Sequence, residues 1–382
     1  MQLNKKLTHL DQNHYYSLDI IRIFAAIIVL LNHFASYSSN NIELTTGEDR
    51  AYKFLEYFYG IGAVGVEIFF VISGLVIASS VSHKSGLTAA LNFIYRRGQR
   101  IIPTLWMSSS VSLIALCSID TNWFLLIKSF IRSNLLFPIG PYIDGVVWSL
   151  IVEAFFYLVV SATIMTANRN RLVTLAISIA LISVIYNAVL ISYKLHLFDF
   201  SNEQTLSSLN RFPYKVFLLR YGVFFSLGIF IFNLKESIGV GGILFIVLCC
   251  TFCVLEIIAS SEIGIEKALV TAFIWIASVI IIMIATMMKS RSTKFQFIAF
   301  HKSLKYLGNL SYPLYLNHYT LGIVLTYHFR YIENSGLKFV ICLSAVFFTS
   351  AAILHMERYV KRQFFQKNSL KSELSNKREV KI

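Results

Sequence analysis

Long apolar segments recur along this chain, and they restrict its fold more than any other feature. Stretches of about 20 mostly apolar residues alternate with short polar connections. A segment of this length crosses a bilayer as an α-helix. Because the hydrocarbon region offers no hydrogen-bond partners, the backbone groups must be satisfied inside each helix. The sequence therefore predicts an all-α fold, a polytopic bundle of membrane helices.

Ten such spans can be placed on the sequence, and composition agrees with this class. Only 14% of the residues are charged and 56% are hydrophobic, whereas soluble domains carry about 25% charged residues. We assign residues 1–362 to one membrane domain and residues 363–382 to a basic, flexible tail. Residues 122–137 indicate an additional interfacial or re-entrant helix. The ten spans are predicted at residues 18–38, 60–80, 101–119, 146–167, 172–193, 213–234, 239–260, 266–288, 307–329 and 336–360.

The net charge of +14 reflects topology rather than nucleic-acid binding. The basic residues fall mainly at the ends of apolar segments, which is typical of the charge bias that orients membrane helices. Most of the 34 lysines and arginines lie on the side of the amino terminus. The predicted location is the inner (cytoplasmic) membrane. The protein would cross it several times, in contact with membrane lipids, with both termini in the cytoplasm. No nucleic-acid partner is expected.

Two ionisable residues lie inside the first apolar segment. Arg22 and His33 are eleven residues apart, which is nearly three whole turns of a helix, so both side chains lie on one face. Intramembrane ionisable residues indicate a functional site by default. The alternative is an arginine that reaches the interface and a histidine held by a backbone carbonyl. A neutral imidazole at this depth can accept a proton, so His33 is the candidate general base.

Other polar residues interrupt later spans. Arg97 and Arg100 share a helical face and suit a clamp for phosphates, although positive charge there also serves topology. Glu67 is an intramembrane carboxylate that needs a partner such as His33 or an arginine. Glu153 lies one turn after Ser149 on one face.

These segments, in this order, resemble the type 3 membrane acyltransferases, which transfer acyl groups to cell-surface sugars. The resemblance covers about residues 14 to 362. It rests on Asp19, Arg22 and His33, the run 69–74, Arg97, Arg100 and Pro103, the run 148–150 with Glu153, and Gly308, Ser311, Tyr312 and the run 315–318.

The resemblance implies a ten-span bundle and an acyl-coenzyme A donor that enters from the cytoplasm, with acetyl-CoA as the co-substrate. It also implies that His33 is essential. The residues assigned to catalysis are His33, Glu67 and Glu153. Those assigned to donor binding are Arg22, Arg97, Arg100, Ser73, Trp148, Ser149, Tyr312 and His318. No metal is expected, because no ligand set of metal type is apparent.

The leading interpretation is an O-acyltransferase, in particular an O-acetyltransferase, that modifies an envelope polysaccharide such as O-antigen or exopolysaccharide, lipid-linked or not. His33 would remove a proton from the acceptor hydroxyl during direct transfer; an acyl-histidine intermediate is the other route. The rival interpretation is a transporter or flippase for a lipid-linked saccharide, although the internal symmetry common in transporters is not apparent. A weaker alternative is a sensor or assembly subunit.

Overall fold

A computed structural model describes most of the chain as α-helix. It covers residues 16–40, 51–81, 84–166, 171–194, 216–233, 239–261, 264–288 and 298–379. No β-strand occurs within these ranges. The predicted all-α class is therefore confirmed.

Eleven α-helices are described, together with one short 3₁₀ helix, Lys53–Phe58. The helices are α1 (Tyr16–Asn40), α2 (Ala63–Val81), α3 (Leu87–Leu116), α4 (Trp123–Asn134), α5 (Val147–Ile164), α6 (Arg171–Lys194), α7 (Gly222–Asn233), α8 (Val240–Ser260), α9 (Ile265–Met288), α10 (Ile298–His328) and α11 (Ser335–Glu379).

Seven of the described helices, α1, α2, α5, α6, α8, α9 and α11, are long and apolar enough to cross a membrane. Helices α3 (30 residues) and α10 (31 residues) are long but are not among these seven, and α7 is apolar but short. Together these helices correspond to the ten predicted spans. Only α4 lies outside that set, and it occupies the stretch predicted as an extra helix.

Several boundaries differ from the prediction. Helix α3 begins at Leu87 rather than near residue 101, and α10 begins at Ile298 rather than near residue 307. Apolar length marks only the part of a helix that lies in lipid, and a polar first section continues the same helix beyond it. Helix α11 runs to Glu379, so the predicted tail continues this helix through that residue. Its separate, flexible character stays a prediction.

The helices alternate in direction, so their ends form two faces. One face, which we call the basic end, holds the starts of α1 and α3 and the end of α2, with Lys84 and Arg96 nearby. The opposite end holds α4, the start of α5 and the end of α10. Helices α1, α2, α7 and α10 form the centre of the bundle, with α2 against α7 and α1 against α10.

Two glycines allow α2 and α7 to pack backbone against backbone. A Cβ atom at Gly74 would lie 2.1 Å from the carbonyl oxygen of Phe225, and a Cβ atom at Gly228 would lie 2.1 Å from that of Val71. Both distances are far inside van der Waals contact. Small residues at such crossings are how membrane helices gain close packing.

We predict that Gly74→Ala and Gly228→Ala each destabilise the protein by about 1–3 kcal/mol, because backbone cannot yield as a flexible side chain can. Gly241→Ala is the matched control, since nothing lies within 4 Å of a Cβ atom at that helical glycine. Thermal unfolding in detergent measures the difference. Equal melting temperatures for the three variants would contradict the packing described.

Candidate active site

A cavity with about 790 Å³ of empty space, part of it open to solvent, lies between α1, α2, α3, α5 and α10. Most of the residues predicted for the site line it: Arg22, Ser73, Arg97, Arg100, Ser149, Glu153 and Tyr312. The apolar part of its wall includes Val66, Phe69, Ile72, Val76 and Leu150. The cavity thus combines a polar group of side chains with an apolar section.

Three guanidinium groups lie on the side of the cavity toward the basic end. Arg22 comes from the second turn of α1, where Nη1 donates to Asp19 Oδ1 at 3.3 Å. Arg97 and Arg100 come from α3 and line the same cavity, as their spacing predicted. The Arg97 guanidinium lies 5.3 Å from the Phe93 ring centroid. This excess of positive charge suits an anionic ligand.

Glu153 lies in the cavity wall among hydroxyl groups. Its Oε1 accepts hydrogen bonds from Ser73 Oγ at 2.5 Å and from Tyr157 OH at 2.6 Å. Tyr157 is one turn after Glu153, and its ring also contacts the Arg97 guanidinium at 5.4 Å. The carboxylate therefore links α2 to α5 beside the arginines, which fixes the shape of this part of the wall.

Helix α10 extends the wall toward His33. The Tyr315 side chain lines the cavity, and its hydroxyl lies 2.7 Å from Ser149 Oγ. The Tyr315 ring lies 5.7 Å from the His318 ring, which in turn lies 5.1 Å from the His33 ring. His33 itself is not among the residues that line the cavity. The row of rings thus continues from the cavity wall to His33, which stays partly exposed.

The His318 ring is oriented by a hydrogen bond within its own helix. His318 is fully buried, and its Nδ1 lies 3.2 Å from the carbonyl oxygen of Leu314. Because a carbonyl can only accept, Nδ1 carries the proton, and Nε2 of the neutral ring is an acceptor. Within the described residues that Nε2 has no hydrogen-bond partner. The edge of the Tyr319 ring completes the surroundings of His33, with ring centroids 4.7 Å apart.

Glu67 lies in a second polar cluster rather than in the cavity. The Glu67 carboxyl group lies near Arg220 and Glu256, and Arg220 Nε donates to Glu256 Oε1 at 2.5 Å. The Glu67 carboxyl group therefore faces Glu256 and Arg220, the arginine that precedes α7, and Glu67 does not line the cavity. Because Glu67 lies outside the cavity wall, its predicted catalytic role stays a prediction.

Trp148 also faces away from the cavity. Its ring lies 5.4 Å from the Tyr221 ring, whereas its neighbour Ser149 lines the cavity. Adjacent helical residues point about 100° apart, which accounts for the difference. The donor-binding roles of Trp148 and His318 stay predictions.

Sequence reasoning gave no site role to Tyr157, Tyr315 or Tyr319, although Tyr315 belongs to the run 315–318 that carries the family resemblance. The first two could have been found from their positions, since Tyr157 is four residues after Glu153 and Tyr315 is three residues after Tyr312. Both spacings place them on a face with a residue already predicted. Tyr319 follows His318 directly, and no comparable spacing marks it.

Comparisons with known proteins agree with this architecture. Residues 15–356 match the acyltransferase 3 family, which is described as an acyltransferase domain. The exopolysaccharide production protein ExoZ of Rhizobium meliloti (strain 1021) is 30% identical over 122 residues. That alignment covers 30% of this chain and 38% of ExoZ, so the chain matches well under two thirds of this relative. No solved structure matches this chain.

The family match extends through every described helix that contributes to the cavity. It also includes both histidines of the row that continues from the cavity wall. This chain therefore belongs to the acyltransferase 3 family and is a multi-pass membrane acyltransferase.

Proposed function

We propose that this protein transfers an acetyl group from acetyl-CoA to a hydroxyl group of an envelope polysaccharide. The observation that carries this proposal is the cavity, with three arginines at the basic end and the row of rings that leads to His33. Exopolysaccharide is the favoured acceptor, because the partly aligned relative is named for exopolysaccharide production.

The arginines would bind the phosphates of the donor. Coenzyme A carries several phosphate groups, and guanidinium groups bind them through paired, charge-assisted hydrogen bonds. The apolar wall beyond the arginines, at Val66, Phe69 and Leu150, would accept the less polar pantetheine arm. In this arrangement the basic end faces the cytoplasm, where the donor is made. The protein would then lie in the inner membrane with both termini inside.

His33 would act as the general base for direct transfer. The acceptor oxygen bonds to the thioester carbon while its proton passes to the His33 imidazole. Collapse of the tetrahedral intermediate breaks the carbon–sulfur bond, and the proton moves from His33 to the sulfur. The products are the ester and the free thiol of coenzyme A. The unpartnered Nε2 of His318, beside the His33 ring, can accept a proton from this ring during the cycle.

We predict that His33→Ala lowers transfer by about 100-fold or more, because general base catalysis typically contributes 10²–10⁴. His328→Ala is the matched control, since His328 is exposed and bonds Ser118 Oγ at the far end of α10. Mass spectrometry of the surface polysaccharide, with equal protein levels in the membrane, measures the product. Full acetylation by His33→Ala would rule out this base.

We predict that Arg100→Ala weakens coenzyme A binding by roughly 10- to 100-fold, the value of a lost charged hydrogen bond. Arg96→Ala is the control, because Arg96 is exposed on the same helix and does not line the cavity. Titration calorimetry on purified protein gives both affinities. If both variants bind like the parent, the arginines are topology signals and not donor ligands.

A further inference from the structure

We propose that Asp144 is a positioning residue for His33, and that its negative charge sets the acid limit of acyl transfer. This inference rests on the proposed function. Asp144 lies at the opposite end of the bundle, in the segment that connects α4 to α5. It is only 2% exposed, and neither the cavity nor the mechanism above uses it. A carboxylate buried at this depth needs specific partners.

Three donors from different parts of the chain surround the Asp144 carboxylate. Oδ1 accepts from the Val146 backbone N–H at 3.1 Å. Oδ2 accepts from the Thr320 backbone N–H at 3.2 Å and from Ser112 Oγ at 3.3 Å. In return, Thr320 Oγ1 donates to the carbonyl oxygen of Ile143 at 3.2 Å. Asp144 thereby joins its own segment to α3 and to α10.

The attachment point on α10 is next to the residues that contact His33. Thr320 follows Tyr319 directly, and the Tyr319 ring packs edge-on against the His33 ring at 4.7 Å. Gly145 packs directly against this ring, since a Cβ atom there would lie 2.5 Å from Tyr319 Cε1. The Asp144–Gly145 segment thus forms the wall against which Tyr319 is held. Loss of this wall would let Tyr319 and His33 move.

Helix α1 also holds this turn of α10 in place. Tyr37 OH donates to the carbonyl oxygens of His318 at 2.6 Å and Tyr319 at 3.2 Å. Because Tyr37 and His33 lie on the same helix, one turn apart, these contacts fix the position of α10 relative to His33. Asp144 supplies a further fixed contact to the same turn of α10, at the Thr320 backbone N–H.

Both oxygens of Asp144 must accept, because two of the three donors are backbone N–H groups. An asparagine of the same shape would direct an NH₂ group at one of those two donors and lose that hydrogen bond. A protonated carboxyl group loses acceptor capacity in a similar way. The ionised form is therefore the one that holds α10 in place.

Burial raises the pKa of Asp144 to about 6, although the hydrogen bonds from Val146, Thr320 and Ser112 act to lower it. The titratable groups that face the carboxylate are the phenols of Tyr37 from α1 and of Tyr315 and Tyr319 from α10. Ser112 is its contact on α3. These phenols carry no charge near pH 6. The charge of Asp144 therefore changes near pH 6, a value that the pH at the outer surface of a cell can reach.

Protonation of Asp144 affects the stability of the folded protein in the opposite direction from acid unfolding. The pKa of Asp144 is raised above its value of 3.8 in an unfolded chain, so the folded protein binds this proton more tightly. Protonation of Asp144 between pH 6 and pH 4 then adds stability instead of removing it. Protonation of Asp144 should therefore lower activity in this pH range without unfolding the protein.

The test is the pH dependence of acetyl transfer by the full chain in proteoliposomes, with acetyl-CoA and isolated surface polysaccharide. Wild-type protein should lose activity as the pH falls through about 6. D144N should show kcat lower on the order of 10-fold at pH 8, from misplaced catalytic geometry. Its KM for acetyl-CoA should be unchanged. The fall of activity near pH 6, the acid limb of the pH profile, should be absent. An acid limb that belonged to the His33 imidazole would persist in D144N.

S112A provides a second, milder variant in case D144N fails to fold. Removal of the Ser112 hydroxyl takes away one donor that favours the ionised form, so the acid limb should move to higher pH. D120N is the control, because Asp120 lies partly exposed in the connection before α4 and accepts a hydrogen bond from the backbone N–H of Asn122. It should match wild type at every pH.

An unmoved acid limb in both D144N and S112A would overturn the role of Asp144 and leave the proposed function intact. A lower kcat in D144N with the wild-type pH profile would make Asp144 a purely structural residue and also overturn the inference. Absence of transfer by wild-type protein at every pH would overturn the proposed function, and this inference with it.

Discussion

The close contact between α1 and α10 is the interaction on which the site depends. It is tight at two levels, and at each level a glycine of α10 makes room for a polar side chain of α1. A Cβ atom at Gly308 would lie 2.4 Å from the Asp19 carboxylate, and one at Gly322 would lie 2.3 Å from Tyr37 OH. The first contact lies at the arginine side of the cavity and the second beside His33. One helix pair therefore sets the position of both the proposed donor site and the proposed base.

The parts of the site that were predictable are those that depend on one helix alone. Periodicity places Arg97 and Arg100, or Ser149 and Glu153, on a common face, and each of these pairs lines the cavity. Apolar length likewise gives the number and order of the spans. The family resemblance added which of these faces belong together, and the match over residues 15–356 confirms that membership.

The rest depends on contacts between helices that periodicity does not encode. Glu67 is one residue from Val66, which lines the cavity, yet its carboxyl group lies near Glu256 and Arg220, both far along the chain. The orientation of α2 about its own axis, set by its packing against α7, determines whether the Glu67 side chain faces the cavity or this cluster. Asp144 was also missed, because it lies in a connection with no helical pattern and its donors come from three separate segments.

The central claim is that the donor enters the cavity from the basic end and that its acyl group reaches His33 past Tyr315 and His318, which separate His33 from the cavity. A structure of the protein with a non-hydrolysable acetyl-CoA analogue, determined by electron cryomicroscopy, tests it most directly. The account predicts phosphates bound by Arg22, Arg97 and Arg100, and an acyl carbonyl beside the His33 ring. Donor density at another site, or an acyl group that ends near the arginines with Tyr315 and His318 unmoved between it and His33, would contradict it.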